Sequence, residues 1–138
     1  MVQINIDYLG DLMCKVTHAP SGNSFFTDAP LDNTGQARYI SPTDLLAASI
    51  GSCIATIMGI KANTNGINIE GLKITVGKEM DNLPFRRVSK LTVRIYFATI
   101  LNEKDFTIMQ NVVNTCPVTK SLLPEIELDY KIIMPEVV

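Results

Sequence analysis

Apolar and polar residues alternate at the start of the chain, with Val2, Ile4, Ile6 and Tyr8 set against Gln3, Asn5 and Asp7. That is the period of a half-buried strand. Gly10-Asp11 supplies turn chemistry before a second short strand from Leu12 to Thr17, and Pro20-Ser21-Gly22-Asn23 does so before a third through Ser24, Phe25 and Phe26. An antiparallel meander is predicted. From Ala29 to Ile40 the chain turns polar and carries Pro30, Asn33 and Gly35, the composition of a surface loop.

The loop leads into Ser41-Pro42-Thr43-Asp44. Ser41 as N-cap, Pro42 at the first helical position and Asp44 three residues after the cap predict a helix start closed by a capping box. The helix runs to about Asn63, with Asn65-Gly66 as its stop. Leu46, Ile50, Cys53, Ile57 and Ile60 recur at spacings of three and four, which puts the Cys53 thiol on the apolar face. The opposite face carries Ala, Ser and Gly in place of Lys and Glu. Such a helix is expected to be buried on more than one side, within its own domain or against a second subunit.

Two further strands alternate through Leu72, Ile74 and Val76 and through Leu91, Val93, Ile95 and Phe97, and Asp81-Asn82-Leu83-Pro84 joins them as a predicted hairpin. Asn102-Glu103-Lys104-Asp105 opens another helix, whose Phe106, Met109, Val112 and Val113 form an apolar stripe ending near Asn114. A short helical turn begins at Pro117, and a last strand alternates Ile126, Leu128, Tyr130 and Ile132 against Glu127, Asp129 and Lys131. No internal repeat or interdomain linker appears. About six strands and two principal helices predict one α+β domain over residues 1–138, its strands grouped around a central helix.

Composition agrees with one ordinary core, since 138 residues with 46% hydrophobic content fit a single domain. Twelve basic against 14 acidic side chains give a net charge of −2 and a pI near 5.3. Nucleic-acid binding is therefore not expected, and the small cluster Arg86, Arg87, Lys90 and Arg94 reads as a solvated strand face. The N-terminus lacks the pattern of a signal or transit peptide, so a cytoplasmic location is expected. The uncharged run over 45–60 is shorter than the about 20 apolar residues of a span. It is interrupted by Ser49, Gly51, Ser52, Thr56 and Gly59, which makes a buried helix the expectation and not a membrane segment.

Three cysteines without a CxxC pair, and one histidine, His18, point to neither a disulfide framework nor a zinc set. Cys14, on a short strand, reads as structural. Cys53, judged by position alone, reads as a small buried hydrophobe. Cys116 stands just before Pro117 and would occupy the N-cap of the following turn, where unpaired backbone N–H groups favour a thiolate. The bland alternative is a cysteine at a chain reversal.

The segments Ser41-Pro42-Thr43-Asp44-Leu45-Leu46-Ala47-Ala48-Ser49-Ile50-Gly51-Ser52-Cys53 and Cys116-Pro117-Val118-Thr119-Lys120-Ser121-Leu122 resemble the paired signatures of the OsmC/Ohr family, the osmotically inducible and organic hydroperoxide resistance proteins. The order of strands, the central helix and the closing strand fit as well, so the resemblance covers nearly the whole chain. It implies an OsmC-like fold, with antiparallel strands around a buried central helix in an intertwined homodimer. It further implies a thiol peroxidase with its active sites at the subunit interface. Cys53 would be the peroxidatic residue, oxidised to a sulfenic acid, and Cys116 the resolving thiol that condenses with it to a disulfide. A dithiol reductant, lipoyl-type in part of the family, would reset the enzyme, with no metal or bound organic cofactor.

Cys53 lies about three turns inside its helix, beyond help from that helix's own dipole, so an outside cation or another helix N-terminus must lower its pKa. The family supplies an arginine from a loop before the central helix, and Arg38 is the match here, with Arg86 and Arg87 as substitutes. In the peroxidase branch a carboxylate after the proline orients that arginine, but Thr43 stands in its place and Asp44 one residue later. Adjacent helical positions point about 100° apart, so Asp44 does not inherit that geometry and is assigned first to the capping box. Lys120 is a further cation, or an exposed lysine on the last turn. Thr43 motivates the rival reading, a non-catalytic binding or redox-sensing protein with an apolar pocket at the dimer interface. A third reading is a purely structural dimer with unperturbed thiols.

Overall fold

The computed structural model describes residues 1–137, which fall into two compact units, Met1–Leu46 and a second that begins at Ala47. In the first unit, β1 (Ile4–Gly10), β2 (Met13–His18) and β3 (Ser24–Asp28) pair antiparallel in the order β1-β2-β3, the meander predicted. Asp11 and Leu12 form the first turn at φ of +52° and +64°, the left-handed geometry that suits a tight hairpin to the strand twist. The apolar side of β1 was expected to be half-buried, yet Ile4, Ile6 and Tyr8 are 52, 57 and 68% exposed. Alternation decides which side chains share a face, whereas burial needs a second layer against it.

After β3 the chain makes a 3-10 turn at Leu31–Asn33. Gly35 N and Asn33 N both donate to Pro30 O, and Ala37 N donates to Ala29 O. Gly35 is required here, because a Cβ would stand 1.8 Å from the Ala29 carbonyl oxygen.

The long helix α1 (Pro42–Asn65) starts as its sequence predicts. Asp44 N donates to Ser41 Oγ at 3.1 Å and Ser41 N donates to Asp44 Oδ2 at 3.2 Å, a closed capping box. It ends where Gly66 turns left-handed at φ +66° and Ile67 N bonds to Ala62 O, the C-terminal arrangement of a Schellman motif. At 24 residues, with a mean hydropathy of 1.7 over its most apolar window, α1 is long and apolar enough to cross a membrane by length and composition. The core helix of a globular protein passes the same test, and Ile50, Ile54 and Met58 are wholly buried.

In the second unit, β4 (Lys73–Asp81) and β5 (Arg87–Tyr96) form the expected hairpin, and β6 (Glu127–Ile133) lies beside β5 in the order β4-β5-β6. The β5–β6 pair is parallel, which departs from the antiparallel pairing expected throughout. Between them run α2 (Glu103–Thr115) and the single turn α3 (Pro117–Lys120). A helical crossover of that length returns the chain to the end where β5 began, so the pairing is parallel. Asn102 Oδ1 caps α2 by accepting from Asp105 N at 2.8 Å.

The core of this unit joins Ile50, Ile54 and Met58 of α1 with Leu91, Val93 and Ile95 of β5 and Met109, Val112 and Val113 of α2, all 1% exposed or less. The α2 stripe is the predicted one. The α1 face is not, since the buried set is Ala47, Ile50, Gly51, Ile54, Met58 and Ala62. Of the predicted stripe only Ile50 is in it, while Ile60 is 54% exposed and Cys53 is half-buried on the flank. A helix without a polar side leaves the choice of inward face to its neighbours. Here a Gly51 Cβ would come 2.9 Å from Val76 Cγ2, so the small residues mark the close approach to the sheet.

Candidate functional site

Cys53 and Cys116 are brought together within the second unit. Cys116 ends α2 and precedes Pro117 of α3, so it is at once C-cap and N-cap, as the Cys-Pro order predicts. Its sulfur is wholly buried and lies 2.6 Å from Cys53 Sγ, and both residues are free cysteines. The more open of the two is Cys53, half-buried on α1.

The sulfurs sit in opposite electrostatic settings. Burial pushes the Cys53 thiol up, its hydrogen bond with Cys116 and the charge there push the same way, and the Val118 N–H opposes them. Burial also penalises the Cys116 thiolate. Its hydrogen bond with Cys53, the Thr119 N–H and hydroxyl and the Val118 N–H together outweigh that penalty and hold Cys116 below the ordinary thiol range. None of the α3 groups closes a short hydrogen bond onto the sulfur in this arrangement. In the contact itself Cys116 Sγ donates to Cys53 Sγ.

Arg38 belongs to the first unit, where its fork is held by two carboxylates. Nε donates to Asp28 Oδ2 at 2.7 Å and Nη2 to Asp28 Oδ1 at 3.2 Å, while Nη1 donates to Asp11 Oδ2 and Nη2 to the Asp11 carbonyl, both at 2.9 Å. Asp28 also accepts from Ala29 N and Arg38 N. Its side chain is fully buried, whereas that of Asp11 is 68% exposed. The Arg38 guanidinium therefore lowers the Asp28 carboxyl to about 2 against the opposing effect of burial, and its own pKa is raised by the two carboxylates.

Asp44 is engaged in the capping box, and Thr43 Oγ1 lies 3.3 Å from Ser41 Oγ. Lys120 is exposed on α3. Arg87 donates from Nη1 to Val88 O at 3.4 Å, Arg86 is exposed, and Cys14 is half-buried on β2. Sequence reasoning missed Asp11, Asp28 and Thr119. Asp28 had a readable signal, a carboxylate at the end of the β-favouring Phe25-Phe26-Thr27 run. Asp11 and Thr119 are turn residues whose partners depend on tertiary placement.

A family model described as OsmC-like protein matches residues 35–131, a span that takes in Arg38 and both cysteine segments. The chain belongs to the OsmC-like family. Among solved structures, this OsmC-like protein is similar to one from Psychrobacter arcticus described as an osmotic stress induced and detoxification response protein. The two share 42% identity with a TM-score of 0.87, over 98% of this chain and 96% of that one. An OsmC-like protein from Mycoplasma pneumoniae has the same fold, with TM-score 0.84 at 12% identity over 99 and 98% of the two chains. So does an organic hydroperoxide resistance protein from Legionella pneumophila, with TM-score 0.76 at 16% identity over 96% of each. No curated protein matches the OsmC-like chain.

Proposed function

We propose that this OsmC-like protein acts as one domain to reduce organic hydroperoxides through Cys53 and Cys116. The observation that carries the reading is the 2.6 Å approach of two free sulfurs from positions 63 apart in the sequence. Cys53, the more exposed, meets the peroxide: its sulfur bonds to the terminal oxygen, the O–O bond breaks, and a sulfenic acid and an alcohol result. Cys116 then attacks the sulfenic sulfur, water leaves, and the disulfide stores the two electrons until a dithiol, lipoyl-type or another thiol system, exchanges with it.

Arg38 is the proposed cation for the departing oxygen, with Arg86 and Arg87 as its substitutes and Asp28 and Asp11 as the groups that orient its fork. Support comes from the names of the relatives, one a detoxification response protein and another an organic hydroperoxide resistance protein. A homodimer is part of the reading, supported by the exposed apolar side of β1. Free cysteines fit a reducing, cytoplasmic setting.

One observation favours the non-catalytic alternative: the Arg38 charge is already shared between two carboxylates. Intact mass and disulfide mapping of fully reduced protein, after one equivalent of tert-butyl hydroperoxide, separates the two. Rapid loss of two hydrogens mapped to a Cys53–Cys116 link is expected. Unchanged thiols would reject the peroxidase and leave the binding protein.

A further inference from the structure

Arg38 at rest is poorly suited to receive negative charge. Its guanidinium is paired with two carboxylates, at 2.7 and 2.9 Å, so the three groups together are net negative, and an oxygen gaining charge beside them is repelled as well as attracted. One carboxylate has to give way before the fork can act on the departing oxygen. The two are not equivalent. Asp28 is fully buried and accepts from Ala29 N and from Arg38 N, Nε and Nη2, and a buried carboxylate parted from its cation is strongly disfavoured. The Asp11 carboxylate accepts from Nη1, and its side chain is 68% exposed. Water can replace the bond it loses, and an exposed pair of this kind adds little to stability. Of the five guanidinium N–H groups, the one that no described residue accepts is also on Nη1, the nitrogen that Asp11 covers.

We propose that the Asp11 carboxylate is a displaceable cover on Arg38, closing Nη1 at rest and giving it up to the substrate oxygen in the peroxide step while Asp28 keeps the fork in place; this rests on the reading of Arg38 as the cation of that step. The Asp11 side chain turns out to solvent by rotation about its own bonds. Its backbone carbonyl stays on Nη2, so the turn at φ +52° keeps its conformation. Nη1 then presents two N–H groups to the oxygen as the O–O bond breaks, donors already aimed where charge develops. With the cover open, Arg38 and Asp28 balance each other, and charge appearing on the oxygen no longer meets a net negative cluster. Asp11 is a positioning residue that acts through Arg38.

The test is the single-turnover rate of Cys53 oxidation in the reduced full chain, measured by rapid quench and intact mass with tert-butyl hydroperoxide. It is run between about 0.01 and 0.15 M salt, over which the screening length falls from about 30 to about 8 Å. This peroxide is uncharged, so a salt response reports on pairs within the protein. Asp11→Asn keeps the shape and an acceptor for Nη1 but removes the charge. At low salt it should be oxidised about three-fold faster than wild type, the factor equivalent to an exposed ion pair. The wild-type rate should rise with salt as the pair is screened, and the Asp11→Asn rate should not. Arg38→Lys keeps a cation beside the buried Asp28 without the fork, and should be slower than both. With Arg38→Lys slow, an Asp11→Asn protein no faster than wild type, or one that keeps the wild-type salt response, would overturn the cover and leave the Arg38 reading intact. An Arg38→Lys protein as fast as wild type would overturn the Arg38 reading and the cover with it. A wild-type protein inert to the peroxide would overturn the peroxidase reading and the cover together.

Discussion

Closing the Cys53–Cys116 disulfide should raise the thermal stability of the protein, by an amount set mainly by the chain length it encloses. The two residues are 63 positions apart, and the chain-entropy relation gives about 4 kcal/mol for a loop of that size. Oxidation also removes the hydrogen bond between the two sulfurs of the reduced pair, a loss of about 1 kcal/mol. The entropy effect wins, leaving about 3 kcal/mol in favour of the oxidised fold. For 138 residues, an unfolding entropy of about 0.29 kcal/mol/K converts this to a rise in Tm of about 10 °C, with a ceiling near 14 °C if the hydrogen bond contributes nothing. The assay is scanning calorimetry of reduced and oxidised protein at one protein concentration, since association also moves Tm. Cys14→Ser serves as the background, so that the third free thiol cannot exchange. An oxidised sample with the link mapped to Cys53 and Cys116 that melts at or below the reduced protein would refute the reasoning. It would mean that the fold does not hold the sulfurs where the bond forms without distortion.

Two further predictions concern the approach to α1. Ser41→Ala removes the acceptor of Asp44 N at a position only 2% exposed and should cost about 1 kcal/mol in urea unfolding; a change within 0.3 kcal/mol, a threshold of about the usual measurement error, would show that the cap is dispensable. Asp28 is lowered to about 2 in the fold against an unfolded value of about 3.9. The folded state therefore favours its carboxylate, so that stability is present above about pH 4 and is lost as pH falls toward 2. Asp28→Asn should be less stable than wild type at pH 7, and the gap should narrow below pH 4. An acid-unfolding profile of unchanged shape in the variant would exclude Asp28 as a source of that limb.

Local features were legible in the residues themselves. The capping box at Ser41 and Asp44, the stop at Gly66, the meander, the β4–β5 hairpin and the α2 stripe depend on neighbours within a few positions or on a clear polar side, and each stands where the pattern put it. The order Cys116-Pro117 likewise placed the sulfur at the start of a helical turn.

Features that depend on contacts between distant segments were not legible. An α1 with apolar or small residues all round carries no instruction about which arc turns inward. That was decided by the fit of Gly51 against Val76, and it rotated Cys53 from the centre of the apolar face to its flank. The parallel β6 follows from the crossover through α2 and α3, and the exposure of the β1 side chains is a matter that alternation alone does not settle. Charge was decided the same way. Sequence could name Arg38 as a cation but not the two carboxylates that hold it, and could pair Cys53 with Cys116 only through the family resemblance and not from their spacing. Hydrogen bonds and burial that set a protonation state act over a few ångströms in space, between residues ten to sixty-three positions apart in the chain.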